Sequence, residues 1–180
     1  TYEYLYNSIA TARYQASQDD PSVLNVRGVV SHKSGNYLYL QDADGASSNV
    51  AITLRRNDFV NTDDYNQIIK GDEIIVRGKP YRTENGYVVA MHNLSLLQVK
   101  SQGNTVTPIE ETISELASDD GSDAWNTKEF MLVKVEDAVV DQVVSRTEFT
   151  ISQETVQATV SHHTNVEVAQ FNNVDVIGVF

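Results

Sequence analysis

Five short alternating segments, punctuated by turn residues and interrupted once by a helix-like stretch, occupy residues 24–99. No other feature constrains the fold so strongly, because a period of two puts one face of each segment inside and the other outside. Leu24-Asn-Val-Arg-Gly-Val-Val-Ser-His32 is the first predicted strand, and Gly28 predicts a bend or bulge within it. Lys33-Ser-Gly-Asn36 is a turn signal, and Asn36-Tyr-Leu-Tyr-Leu-Gln-Asp42 alternates after it. Asp42-Ala-Asp-Gly45 turns the chain into Asn49-Val-Ala-Ile-Thr-Leu-Arg55. Asn61-Thr-Asp-Asp64 offers cap chemistry for a short helix, Tyr65 to Lys70, ending at Gly71. Asp72-Glu-Ile-Ile-Val-Arg-Gly-Lys79 follows as the fourth strand. A turn around Glu84-Asn-Gly86 leads to the last strand material, Tyr87–Met91 and Leu94–Val99.

Three strands, a short helix and two strands make the order of an OB-fold, a five-stranded, partly open Greek-key barrel. The residues also resemble a known family, the secreted bacterial OB-fold modules found beside extracellular nucleases or in surface lipoproteins. The matching pieces are Val26-Arg-Gly-Val-Val30, Gly35-Asn-Tyr-Leu-Tyr-Leu-Gln-Asp42, Gly71-Asp-Glu-Ile-Ile-Val-Arg-Gly78 and Asn85-Gly86, and their spacing covers most of residues 23–99. Together with the acidity and the absence of cysteine, this resemblance implies an extracytoplasmic bacterial protein, periplasmic or at the cell surface, of the kind that carries a lipid anchor. It implies an oligonucleotide or an oligosaccharide as ligand.

The second half looks like a worn copy of the first. Ser8-Ile-Ala-Thr-Ala-Arg13 precedes the first strand set, and Thr112-Ile-Ser-Glu-Leu-Ala117 stands in the same place before the second. Phe130–Val135, Thr147–Ser152, Thr155–Val160 and Asn173–Phe180 answer the first four strands, and no fifth follows. The expected fold is therefore all-β: two tandem OB-fold-like five-stranded Greek-key barrels, each preceded by a short helix, the second degenerate or incomplete. Residues 1–100 form the first domain and 101–180 the second, with residues 100–111 as linker. An unclosed unit exposes strand edges. Tyr2-Glu-Tyr-Leu-Tyr6 could close it, by symmetry or from a neighbouring chain; an incomplete sandwich or a truncated fragment is the other reading.

Charge separates the halves further. Residues 1–100 carry 10 Lys/Arg and 11 Asp/Glu, whereas residues 101–180 carry 3 and 14. All nine tyrosines precede residue 100. The acidic half should repel polyanions, so strong non-specific nucleic-acid binding is not expected of the chain. A local site on the first barrel survives that objection. Alternation points Val26, Val30, Leu38, Leu40, Val50, Ile52 and Leu54 inward, and puts Arg27, Tyr37, Tyr39, Gln41, Thr53 and Arg55 on the outer face. Such a face is where OB-folds bind oligomers, with tyrosines for stacking and arginines for phosphate or base. Arg77, Lys79, Tyr81 and Arg82 would extend it. Packing of Tyr37 and Tyr39 against a helix or the second unit is the competing reading.

The remaining candidates are weaker. His162 and His163 are adjacent in a strand and face opposite sides, so they cannot share one metal ion without a bulge. His32 and His92 read as isolated strand residues. Asp42-Ala-Asp-Gly45 resembles the start of a calcium loop but lacks the downstream glutamate. Asp119, Asp120 and Asp123 read as a solvated acidic loop, and Trp125 as a plug at the barrel's end. No nucleophile elbow, phosphate-binding glycine loop or zinc helix is present. No metal or other cofactor is called for, and no apolar run approaches the 18 or so residues of a membrane span. The expected function is a non-catalytic binding module, with single-stranded nucleic acid or oligosaccharide on the first barrel. The alternative is a structural or adaptor module of a cell-surface protein, binding another protein through open strand edges.

Overall fold

The computed structural model describes residues 4–42, 50–82, 89–118, 128–161 and 168–179. The chain divides into two units. The first comprises Thr1–Thr107 with Gly121–Met131, and the second Pro108–Asp120 with Leu132–Phe180. The first thus reclaims a stretch that lies beyond the linker in sequence.

The first unit contains α1 (Ile9–Ala16), β1 (Leu24–Ser34), β2 (Tyr37–Gln41), β3 (Ala51–Arg55), α2 (Thr62–Gln67), β4 (Glu73–Arg82) and β5 (Val89–Ser101). Its strands close into a barrel in the order β1-β2-β3-β5-β4. Strand β1 serves two neighbours: Leu24–Val29 pairs with β4, and Val29–Ser34 with β2. The parallel pair Thr53↔Ala90 and Leu54↔Met91 completes the ring. All seven residues that alternation points inward are fully buried. Ile9 and Ala12 of α1, with Tyr65 and Ile68 at α2, join the same core.

The expected irregularity in β1 is present but displaced. The register shifts between Val30 and His32. Gly28 is needed for another reason: a Cβ there would stand 2.8 Å from both Ile9 Cδ1 and Leu40 Cγ. Helix α1 starts where Ser8 accepts a hydrogen bond from Thr11 N–H. Helix α2 starts three residues before the predicted Tyr65, because Asn61 accepts from Asp63 N–H. It ends early because Ile68 turns extended and buries its side chain completely. Lys33 Nζ then donates to the carbonyls of Tyr65 and Ile68 at 2.9 and 2.7 Å. Tyr65 O also accepts from Ile68 N–H, and Ile68 O is an acceptor that the helix end leaves without an intrahelical partner.

The second unit contains β6 (Ile109–Glu110), α3 (Ile113–Ser118), β7 (Leu132–Ser145), β8 (Glu148–Gln153), β9 (Val156–Ser161) and β10 (Asn173–Val179). Thr112 and Glu115 cap α3 reciprocally, Glu115 N–H donating to Thr112 Oγ1 and Thr112 N–H to Glu115 Oε2. The strands form an open sheet ordered β10-β7-β8-β9, with β6 parallel to β7. Among the described residues the barrel closes once, in the first unit, and the second copy, expected to be degenerate or incomplete, is an open sheet. What repeats is the hydrogen bonding. Val29 pairs with both Gln41 and Glu73, and Val139 with both Ser152 and Asn173. Gly71 N–H donates to Val30 O and Val30 N–H to Asp72 O; Phe171 N–H donates to Val140 O and Val140 N–H to Asn172 O. Gly71 and Phe171 hold the same left-handed backbone, φ 86° and 67°.

The described part of the N-terminal segment belongs to the first unit. Asn7 bridges Val26 in parallel, and Asn25 Nδ2 donates to Leu5 O at 2.9 Å.

Candidate ligand-binding face

Register decides which outward residues meet. Antiparallel pairing sets Tyr37 opposite Arg55, Tyr39 opposite Thr53 and Gln41 opposite Ala51. The row through Tyr39 and Thr53 continues across Ala90 on β5 to Tyr81 on β4. Of the predicted residues, Tyr37, Tyr39, Thr53, Arg55 and Tyr81 therefore lie on one continuous part of the barrel wall.

Their exposure differs along it. Tyr37 is 42% exposed, an open ring whose register partner across the ladder is Arg55. Tyr39 is half-buried between His32, 6.0 Å away and stacked, and Phe130, 5.8 Å away and tilted. Burial raises its phenol above the usual range, and the neighbouring Tyr37 adds to this. Gln41 and Thr53 were expected on the outer face as ligand contacts, but both are buried. Thr53 Oγ1 donates to Leu38 O at 3.4 Å. The cause is a cover over this end of β2 and β3. Arg13 of α1 donates to Ala51 O at 2.6 Å and to Glu129 Oε2 at 2.9 Å, and Phe130 of the same returning stretch lies against Tyr39. Alternation assigns a side to a residue without telling what lies over that side.

Three of the predicted cations serve other partners. Arg27 pairs with Ile75 of β4, beyond the end of the β1–β2 pairing. Its Nε donates to Glu73 Oε1 at 2.7 Å, a second bond goes to Tyr6 Oη, and the guanidinium lies 4.8 Å from the Tyr6 ring centre. Burial pulls this guanidinium down, and the bonds to Glu73 and Tyr6 outweigh it, so its pKa is raised. Lys79 pairs with Asp20 at 2.9 Å. Arg77 is exposed and donates to Asn25 Oδ1 at 3.4 Å. The structure does not gather these three with Tyr37 and Arg55.

It gathers instead residues that sequence reasoning passed over. The Tyr81 ring stacks on His92, 5.0 Å between centres and 19° between planes. Tyr81 is hydrogen-bonded to Asp58, which stands in the 3-10 turn Arg56–Asp58 directly after β3. Burial pushes the Asp58 carboxyl up, while Arg55, His92 and the Tyr81 hydroxyl pull the other way. Burial also raises the Tyr81 phenol, reinforced by the Asp58 charge. Within this cluster Asp58 Oδ2 and Arg55 Nε are buried without a hydrogen-bond partner. In the sequence His92 reads as an isolated strand histidine. What places it here is the register two residues away, where Ala90 partners both Thr53 and Tyr81, and no local sequence pattern carries that pairing.

The face is thus two aromatic platforms, Tyr37 and the Tyr81–His92 stack, joined through Arg55. Flat rings beside a planar cation suit stacking against a base or a sugar ring. The second unit does not repeat it: Glu148 and Thr150 stand in the tyrosine positions, paired with Ser161 and Thr159. Among the described residues no three His, Asp or Glu side chains are grouped to hold a metal ion. The candidates at His162, His163, Asp119, Asp120, Asp123, Trp125 and 43–45 lie outside the described residues. No helix among the described residues is long and apolar enough to cross a membrane.

No protein-family model matches this chain, and no curated protein matches its sequence.

Proposed function

We propose that the first barrel is an OB-fold-like, non-catalytic binding module. It takes a single-stranded oligonucleotide or an oligosaccharide across Tyr37, Arg55 and the Tyr81–His92 stack. The observation that carries this reading is the register that brings an open tyrosine beside an arginine, on the wall that also holds the aromatic stack. The closed order β1-β2-β3-β5-β4, with α2 between β3 and β4, supports it as well, since that is the OB-fold arrangement. The location that goes with this reading is extracytoplasmic, with a lipid anchor.

Fluorescence-polarisation titration with labelled single-stranded oligonucleotides, at low and moderate salt, is the first test, followed by a glycan array. Tyr37→Ala is the variant of choice because its ring is open, whereas Tyr39 is packed between two rings. We expect the loss of one stacking contact, about 1–3 kcal/mol or roughly 5- to 150-fold in affinity. Affinity that falls steeply with salt identifies a phosphate-bearing ligand, and salt-independent affinity a sugar. Failure to bind either class, or binding indifferent to Tyr37→Ala, would sink the reading.

A further inference from the structure

The second unit follows the hydrogen bonding of the first through four strands and then departs from it. In the first unit β5 lies between β3 and β4, parallel to one and antiparallel to the other. With β5 in place, Ala51–Leu54 of β3 and Ile74–Val76 of β4 are all buried. In the second unit β9 and β10 take the places of β3 and β4, and among the described residues each is paired along one edge only. Neither strand has a fully buried residue. Val156, Ala158, Val160, Val174 and Val176 alternate along them and stay half-buried, on the side that the first unit fills. Free strand edges beside partly wetted valines are what an added strand pairs with and covers.

We propose that the second unit is a strand acceptor. An extended segment of another polypeptide, apolar at alternate positions and basic between them, adds antiparallel to β10 and parallel to β9, where β5 stands in the first unit. Charge selects this occupant. The second unit carries twelve acidic and two basic residues, so its field draws in a lysine- or arginine-bearing segment and repels a second copy of the same acidic unit. Only the second unit is involved, so loss of oligomer binding by the first barrel leaves this proposal standing, and the reverse.

The probe is a labelled synthetic peptide with the sequence of Val89–Ser101 and the changes Ser95→Lys and Gln98→Lys, titrated against the full chain. We expect saturable one-to-one binding that weakens several-fold as salt is raised to about 0.5 M. Hydrogen exchange should show new protection confined to β9 and β10. Val176→Glu in the chain should weaken binding about tenfold or more, since it puts a charge on the covered face. A peptide with Leu94→Ser and Leu96→Ser, which loses the apolar side chains that β5 turns to the core of the first unit, should fail equally and does not depend on any variant's folding. The proposal is overturned if the lysine peptide does not bind, if a glutamate version binds as well, or if protection falls elsewhere. It is also overturned if β9 and β10 are already protected in the chain alone with concentration-dependent dimers in sedimentation, because the occupant is then a second copy.

Discussion

Among the described tyrosines, burial raises the phenols of Tyr39, Tyr65 and Tyr81 above the ordinary value of about 10. A phenol whose folded value exceeds its unfolded one gives stability that is complete below the unfolded value. That stability is lost as pH rises through the folded value. Stability should therefore begin to fall as pH rises past about 10, with these three tyrosines ionising later than exposed ones. Spectrophotometric titration of tyrosinate alongside circular dichroism checks this; independent ionisation of all nine at ordinary pH would contradict it. Tyr65 has a further stake, since its hydroxyl donates to Gly35 O at 2.9 Å and its ring lies 4.4 Å from Lys33 Nζ. At this scale the sequence was partly legible. Tyrosine and arginine in alternating strands mark a face, and Tyr37 and Arg55 do meet there. Asp58 was invisible because it follows the strand in a turn, and Gln41 and Thr53 misled because their cover comes from Arg13 of α1 and from Glu129 and Phe130, all distant in sequence.

The strands behave as alternation requires wherever both faces have neighbours. Leu38 and Leu40 of β2 sit opposite Leu54 and Ile52 of β3, all fully buried. Removing one of these side chains leaves a cavity, so Leu40→Ala should cost about 2–5 kcal/mol in denaturant unfolding. Val176→Ala on β10 should cost less than about 1 kcal/mol, because its face is still partly wet. Equal costs would mean that β10 is as well covered as β2. Cap chemistry was legible where it is local: Ser8, Asn61 and Thr112 each cap a helix, although α2 follows its cap at once and so starts before the expected Tyr65. The end of α2 was not, because its last carbonyls are satisfied by Lys33 from β1. The duplicated strand set was legible as a pattern of four. Closure of the first set depends on the parallel β3–β5 pair, a long-range contact that no local pattern encodes.

Across the whole chain, cover and charge are divided unequally. The first unit has a continuous core of strands and two helices, whereas the second has an open sheet and most of its charge is negative. Stability in such a chain is not uniform. Native-state hydrogen exchange should find the amides of β1–β5 slowest, those of β7 around the fully buried Ala138 and Val140 next, and those of β9 and β10 fastest. A single shared rate across both sheets would show that the units open together and contradict this order.

Residues 121–131 belong to the first unit although they follow the start of the second, so the chain passes from one unit to the other three times. During synthesis on a ribosome, β5 is finished at Ser101, some thirty residues before Glu129 and Phe130 can reach Arg13 and Tyr39. The first unit is thus translated through its last strand while part of its outer wall is still unmade. The three passages also mean that one proteolytic cut in residues 101–111 would nick the molecule without parting its halves.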